Sequence, residues 1–219
     1  MRERQLRVRV LLAAFLCMVA LAEAQGEPTS LNIIPTADVL PNGAASIEVQ
    51  LSGGRVSGGY EFMNQFQTEF GLGSGVEIGF DPSIGPNVGS PFNAKWRIYK
   101  ETARRPAVAV GTFVDLLGTG NPPYITGFKS VGTTRFHMGA TRLGQTTRAM
   151  AGWDTYPWEP LTIQADYVSG PAAYATIGFV INLPGGWLIN AAQLFGNSRY
   201  APNGYIVAVG WTGQVFGAS

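Results

Sequence analysis

Apolar and polar residues alternate along most of the chain beyond residue 46. In the first segment, Ile47, Val49 and Leu51 alternate with Glu48 and Gln50. The same period of two recurs over residues 66–72, 76–81, 92–98, 161–167 and 205–211. A period of two predicts β-strands with one apolar face, and no window keeps the apolar spacing of an amphipathic helix over three turns.

Turn residues divide this alternating region into short, evenly spaced segments. The link Gly73-Ser74-Gly75, for example, lies between two alternating runs and predicts a hairpin. About twelve strands of roughly ten residues fit the chain, with Tyr205–Trp211 as the closing strand. We therefore predict an all-β fold: a closed antiparallel transmembrane β-barrel of about twelve strands, with ten as the nearest alternative.

Composition helps to decide which way the apolar face points. Charged residues make up 13% of the chain, about half the usual share, whereas hydrophobic residues make up 46%. A soluble barrel needs a charged exterior, but a membrane barrel keeps its polar residues in the lumen. The charges fall on one strand parity, so the residues predicted to line the lumen are Glu48, Glu69, Glu77, Lys95, Arg97, His137 and Asp166.

Large aromatic residues lie near the ends of the predicted strands. Such positions are typical of the two aromatic girdles that flank the apolar band of a membrane barrel. The predicted interfacial aromatics are Trp153, Tyr156, Trp158, Trp187, Tyr205 and Trp211.

The start of the chain has the layout of a secretory signal peptide. A basic head precedes the apolar run Val10–Ala22, and Ala22-Glu23-Ala24 fits a small-x-small cleavage site. We therefore predict a cleaved signal over residues 1–24, an extended proline-containing arm over 25–45 and a single barrel domain over 46–219. Export places the barrel in the bacterial outer membrane, with the lipid and the insertion machinery of that membrane as partners.

Catalytic and metal-binding chemistry finds little support in the sequence. His137 is the one histidine, it faces the predicted lumen, and no serine lies two residues from it along the strand. Cys17 is the one cysteine and falls in the signal, so few ligands remain for a transition metal. The glycines after Asp115 precede neither a lysine nor a helix. We expect no catalytic residue, no metal, no cofactor and no nucleic-acid partner.

Part of the chain resembles a known family. The matching elements are Lys95-Trp96-Arg97, the run 106–111 (PAVAVG) and the run 115–120 (DLLGTG) followed by Tyr124, with a lead-in at 35–43. Over these residues the chain is similar to the YjbH-like bacterial outer-membrane barrels associated with exopolysaccharide production. The resemblance implies a barrel in the outer membrane and a link to surface polysaccharide, and it supplies no catalytic residue. The chain has room for one barrel only.

The function predicted from the sequence is therefore non-enzymatic. We expect a structural or channel-like envelope protein, linked to exopolysaccharide export or surface assembly, that passes polysaccharide or small solutes. Two alternatives stay open: an outer-membrane barrel enzyme that acts on lipid or glycan, and a soluble periplasmic β-barrel that binds a ligand.

Overall fold

The computed structural model describes residues 29–56, 59–84, 92–113, 121–199 and 201–217. The signal peptide predicted for residues 1–24 lies outside this range. Within it, none of the helical segments has the length and apolar character needed to cross a membrane.

Nearly all of the described chain is β-sheet. Thirteen strands and one short 3-10 turn, Pro184–Gly186, follow one another in the described residues. The strands are β1 (Ala44–Val56), β2 (Gly59–Gly73), β3 (Val76–Phe80), β4 (Ser83–Ile84), β5 (Phe92–Tyr99), β6 (Ala107–Thr112), β7 (Pro123–Val131), β8 (Thr134–Leu143), β9 (Thr146–Trp158), β10 (Leu161–Val168), β11 (Tyr174–Asn182), β12 (Trp187–Gly196) and β13 (Gly204–Gln214).

The sheet closes on itself. Each barrel strand pairs antiparallel with its neighbours in sequence, and β1 pairs with both β2 and β13. Glu48, for instance, lies opposite Gln67 on one side and Gly210 on the other. The two-residue β4 pairs with β2 alone and is not one of the twelve strands that close the barrel. The prediction of a closed barrel of about twelve strands is confirmed, and closure removes the unpaired edges that an open sheet exposes.

The predicted hairpin at Gly73-Ser74-Gly75 is confirmed. All three residues have positive φ angles, of 80°, 51° and 78° respectively. This left-handed conformation is easily reached by glycine and costs most other residues energy, so the two glycines explain why the chain reverses here between β2 and β3.

Polarity is inverted relative to a soluble protein. On the outer face, Met138 is 74% exposed and Val49 is 55% exposed, whereas on the inner face Gln50, Glu77 and Asp154 are at most 5% exposed. Neighbours along a strand point to opposite faces, so the alternation in the sequence becomes an apolar exterior and a polar interior. The apolar face therefore points outward, a direction that alternation alone did not decide.

Most of the described residues before β1 lie inside the barrel. We call residues 29–43 the arm. Its first part folds back on itself, because Leu31 N donates to Ile34 O (2.9 Å) and Thr36 N donates to Thr29 O (3.0 Å). Ile34, Thr36 and Ala37 are at most 1% exposed. The predicted extended arm is therefore a lumen plug with a turn in it.

The barrel has two ends that need names. The terminal end is where β1 begins at Ala44 and β13 ends at Gln214, and it also holds the turns 132–133 and 159–160. The far end is the opposite one and holds the connections 169–173 and 197–203. The arm enters the lumen from the terminal end, because Gly43 joins it directly to β1.

Candidate functional site: the barrel lumen

The residues predicted to line the lumen lie at inward-facing positions of the wall strands. Glu77 pairs across the sheet with Lys95, and Glu48 and Glu69 lie on the same face of β1 and β2. Arg97 shares the parity of Lys95, and its buried Nε has no partner in the described chain. The two remaining predicted residues, His137 and Asp166, are also buried. The wall therefore brings acids and bases together around the arm.

Asp166 on β10 holds the turn of the arm. Its Oδ2 accepts hydrogen bonds from Ile33 N (2.8 Å) and Ile34 N (3.3 Å). Asn32 beside them donates to Thr176 Oγ1 (2.8 Å) and accepts from Gln164 Nε2 (2.7 Å). Buried polar groups need such partners, so the wall of β10 and β11 satisfies the backbone and side chain of the arm at the point where it reverses.

A second contact forms around Arg135 on β8. Its guanidinium pairs with Asp38 of the arm (Nη1 to Oδ2, 3.0 Å) and, through Nε and Nη2, with Asp154 of β9. His137 Nε2 lies 3.4 Å from Asp154 Oδ1, and its ring packs on Phe128 with centroids 5.4 Å apart. The one histidine thus lies beside the buried Arg135–Asp154 ion pair that anchors the arm.

Lys95 on β5 makes the third contact. Its Nζ donates to Thr29 O (2.7 Å) and Asp38 O (3.0 Å) and lies 3.2 Å from Glu77 Oε1. Glu77 in turn accepts from Leu40 N through Oε2 (2.8 Å). An ammonium has three donors, so the three acceptors use the full capacity of Lys95. This pair ties both the first and the last part of the arm to the wall.

Apolar contacts also hold the arm against the wall. Leu31 and Ile34 pack in one cluster with Tyr124, Met150 and Val168 of the wall. A second cluster joins Ala37 to the wall residues Ala107, Ala109 and Phe128.

Glycines in the wall leave room for the arm. A Cβ at Gly71 would lie 2.0 Å from Pro41 O, and one at Gly152 would lie 2.7 Å from Leu31 Cδ1. Neither distance is compatible with a real side-chain contact, so the arm and these glycines fit each other. Glycine inside a strand often marks such a close approach of another backbone.

The arm does not fill the whole lumen. A cavity of about 150 Å³ lies between its turn and the wall and is bordered by residues of β1, β2 and β3, including Glu48, Gln65 and Glu69. Phe113 and Leu143 also border it, so it extends towards the far end. Among the described residues no group of three or more metal-ligating side chains comes together.

Five of the six predicted interfacial aromatics lie at outward-facing positions of the strands. Trp158 and Trp187, for example, are 63% and 52% exposed. The others are Trp153, Tyr205 and Trp211. Tyr156 differs from the prediction: its hydroxyl lies 3.4 Å from Asp154 Oδ2 and its ring faces the Arg135 guanidinium at 5.3 Å. The reason is strand parity, because Tyr156 stands two residues from Asp154 and shares its inward face.

The sequence did not predict that Asp38, Arg135 and Asp154 anchor the arm. The alternation of β8 places Arg135 on the lumen face with His137, but it does not show that Arg135 contacts the arm. Asp154 lies opposite Arg135 on β9, but this pairing depends on a register that the sequence does not state. Asp38 gave no signal, since it lies outside any alternating segment.

Comparisons with known proteins support the fold. No protein-family model matches the sequence, and no curated protein does so. Among solved structures the chain is similar to "KdgM porin", with a TM-score of 0.54, 12% identity, and coverage of 76% of this chain and 98% of that one. It is also similar to "KdgM porin in complex with disordered oligogalacturonate", with a TM-score of 0.55, 12% identity, and coverage of 77% of this chain and 98% of that one. At this identity the likeness shows the barrel fold and nothing about the solute.

Proposed function

We propose that the protein is a channel-like, non-enzymatic barrel of the bacterial outer membrane whose lumen is occupied by its own arm. The observation that carries this proposal is the inverted polarity of a closed barrel. Its exterior exposes large apolar side chains such as Val49, Ile125 and Met138, while charged residues lie inside. In water such an exterior would aggregate, but in lipid it is the stable arrangement.

The outer aromatics support a membrane position. Phe62, Phe92 and Tyr167 lie towards the far end, whereas Trp158 and Trp187 lie towards the terminal end, and all five are at least 43% exposed. Aromatic girdles at both interfaces are typical of outer-membrane barrels. The two longest connections between neighbouring barrel strands, after β3 and after β6, both join strand ends at the far end. Since extracellular loops are the longer ones in this class, we place the far end outside the cell.

The solute is a separate proposal. The similar porin was solved with oligogalacturonate, an acidic oligosaccharide, but the cavity of this chain is bordered by the carboxylates of Glu48, Glu69, Glu77 and Asp81. Like charges repel, so we favour small solutes over an acidic oligosaccharide. The link to exopolysaccharide rests on the YjbH-like resemblance and stays a prediction.

Two measurements test the channel proposal. The full chain, expressed in a Gram-negative host, should fractionate with the outer membrane and migrate faster on a gel before heating than after it. Reconstituted in planar bilayers, it should give conductance steps smaller than those of an open twelve-stranded barrel, because the arm narrows the path. Recovery as a soluble periplasmic protein without heat-modifiable migration would overturn the membrane assignment, and a folded barrel without conductance would overturn the channel.

The non-enzymatic part of the proposal concerns His137. Its Nε2 is directed at Asp154 and its ring packs on Phe128 inside the lumen, away from a substrate arriving through lipid. Wild type and His137→Ala should both lack activity on phospholipid, lipid A and oligosaccharide substrates. Hydrolysis that the variant abolishes would favour the enzyme alternative.

A further inference from the structure

The arm leaves a cavity in the lumen that is open to a ligand. It lies between the turn of the arm, represented by Ile33, and most of the surrounding wall, including β1, β2 and β3, and it reaches Phe113 and Leu143 towards the far end. Its volume of about 150 Å³ equals that of engineered protein cavities that hold a molecule of six carbon atoms. A small solute therefore fits.

The charges around this cavity are unbalanced. Among the described residues that border it, four are carboxylates, namely Glu48, Glu69, Glu77 and Asp81, and one is an ammonium, Lys95. Lys95 is already engaged by Glu77 and by two carbonyl groups of the arm. Carboxyl groups therefore outnumber cations among the described residues that border the space, and the one ammonium there is already engaged.

Two of the carboxylates are left without partners. Asp81 accepts hydrogen bonds from Thr68 N (3.2 Å) and from Asn93 Nδ2, both in the wall. Glu48 and Glu69, by contrast, receive no hydrogen bond and form no ion pair within the described part of the chain. Burial penalises an unpaired carboxylate, and a cation brought from outside would stabilise the charged form of both groups.

Two buried amide side chains with unsatisfied oxygens border the same space. Gln65 and Asn190 both border the cavity, are 3% and 8% exposed, and leave Oε1 and Oδ1 respectively without a hydrogen-bond partner. Gln65 pairs with Gln50, two residues from Glu48 on the same face, which places it about 7–8 Å from Glu48 as a diagonal neighbour. Buried polar atoms are normally satisfied, so each orphan suggests a missing partner.

We propose that this cavity binds a small organic ammonium ion. The charged group, with three N–H donors, would lie against Glu48, Glu69 and Gln65. Its apolar part would lie against the apolar residues that also border the space, among them Ile33 and Phe113. The inference deepens the channel proposal by naming a class of solute, and its transport role rests on that proposal.

The test is equilibrium binding to the folded full chain in detergent, with binding to protein-free micelles subtracted. The probes are benzylammonium, its neutral counterpart benzyl alcohol and the anion benzoate. We expect benzylammonium to bind about tenfold or more tightly than benzyl alcohol, and benzoate to show no saturable binding. Equal binding of the charged and neutral probes to wild type would overturn the proposal, whatever any variant does.

Variants locate the site. Glu48→Gln with Glu69→Gln should weaken benzylammonium by about tenfold or more and leave benzyl alcohol unchanged. Glu159→Gln, which removes a carboxylate from an exposed turn at the terminal end, should bind as wild type does. An unchanged affinity in a folded double variant would overturn the site.

Binding and conductance separate the two proposals. A chain that conducts but does not bind benzylammonium refutes the ammonium site alone. A chain that binds the probe but never conducts refutes the channel alone, because binding in detergent does not depend on passage through a membrane.

Discussion

The ion pair between Asp38 and Arg135 offers the most direct way to loosen the arm. Asp38→Asn keeps the shape of the side chain but removes its charge, and Arg135 still has Asp154 as a partner. The pair is mostly buried, with side-chain exposures of 10% and 16%. A hydrogen bond to a charged group contributes about 1.5–3 kcal/mol, so we expect a loss of about 2 kcal/mol. That is about a 30-fold rise in the released fraction of the arm.

Hydrogen exchange can measure this release. Leu40 N donates to Glu77 and Ile33 N donates to Asp166, so both amides become exposed to exchange when the arm leaves. Their protection should fall about 30-fold in Asp38→Asn, while amides of the barrel strands keep theirs. Asp81→Asn is the matched control, because within the described residues Asp81 bonds only to Thr68 and Asn93 of the wall.

Two outcomes would refute this reasoning. If arm amides are as protected in Asp38→Asn as in wild type, the ion pair does not hold the arm in place. If barrel amides lose protection together with those of the arm, the arm is not a separate unit but part of the cooperative barrel.

Three further predictions concern other parts of the barrel. Met138→Arg, on the outer face of β8, should cost about 2–4 kcal/mol of stability in lipid bilayers if it lies near the bilayer midplane, as measured by equilibrium unfolding in vesicles. Gly152→Ala should displace Leu31, since its Cβ would lie 2.7 Å from Leu31 Cδ1; overpacking of this kind costs about 1–3 kcal/mol, and exchange of arm amides should rise. Glu101, in the turn after β5, has its pKa lowered to about 2, first by the backbone N–H of Ser130. Since its ordinary pKa is about 4.3, its stabilising contribution is complete above that value and is lost as the pH falls towards 2. The difference in melting temperature between wild type and Glu101→Gln should therefore shrink over that interval.

Each of these three predictions has a result that would contradict it. Gln145→Arg lies in the exposed turn between β8 and β9, so a cost equal to that of Met138→Arg would contradict a lipid-facing outer surface. If hydrogen exchange of the arm amides is the same in Gly152→Ala as in wild type, the wall next to Leu31 tolerates an added methyl group. A melting difference for Glu101→Gln that stays constant from pH 5 to pH 2 would contradict its lowered pKa.

The barrel could be predicted because its signal is local. Alternation at Glu48, Glu77 and Lys95 fixes which face each side chain occupies, and closure follows from the need to pair every strand edge. The turn at Gly73-Ser74-Gly75 was equally readable, since its residues favour the conformation they adopt. Local patterns of this kind depend on neighbours within a few residues, which the sequence states directly.

The contents of the lumen could not be predicted because they depend on the whole ring. The arm fits because wall glycines such as Gly71 and Gly152, on strands far apart in sequence, leave room for different parts of it. The anchor of Asp38 on Arg135 spans 97 residues. Tyr156 shows the same limit on a smaller scale, because its position near a strand end suggested the interface while its parity placed it inside.

The covalent link at Gly43 makes the arm a tethered ligand. A segment joined to the mouth of its own receptor has an effective concentration on the order of millimolar, and that concentration does not change with the amount of protein in the membrane. A solute that uses the space occupied by the arm must therefore compete with a ligand that dilution never removes. Any opening threshold would accordingly be set by the strength of the arm's contacts and by the solute, and would be the same in a sparse membrane as in a crowded one.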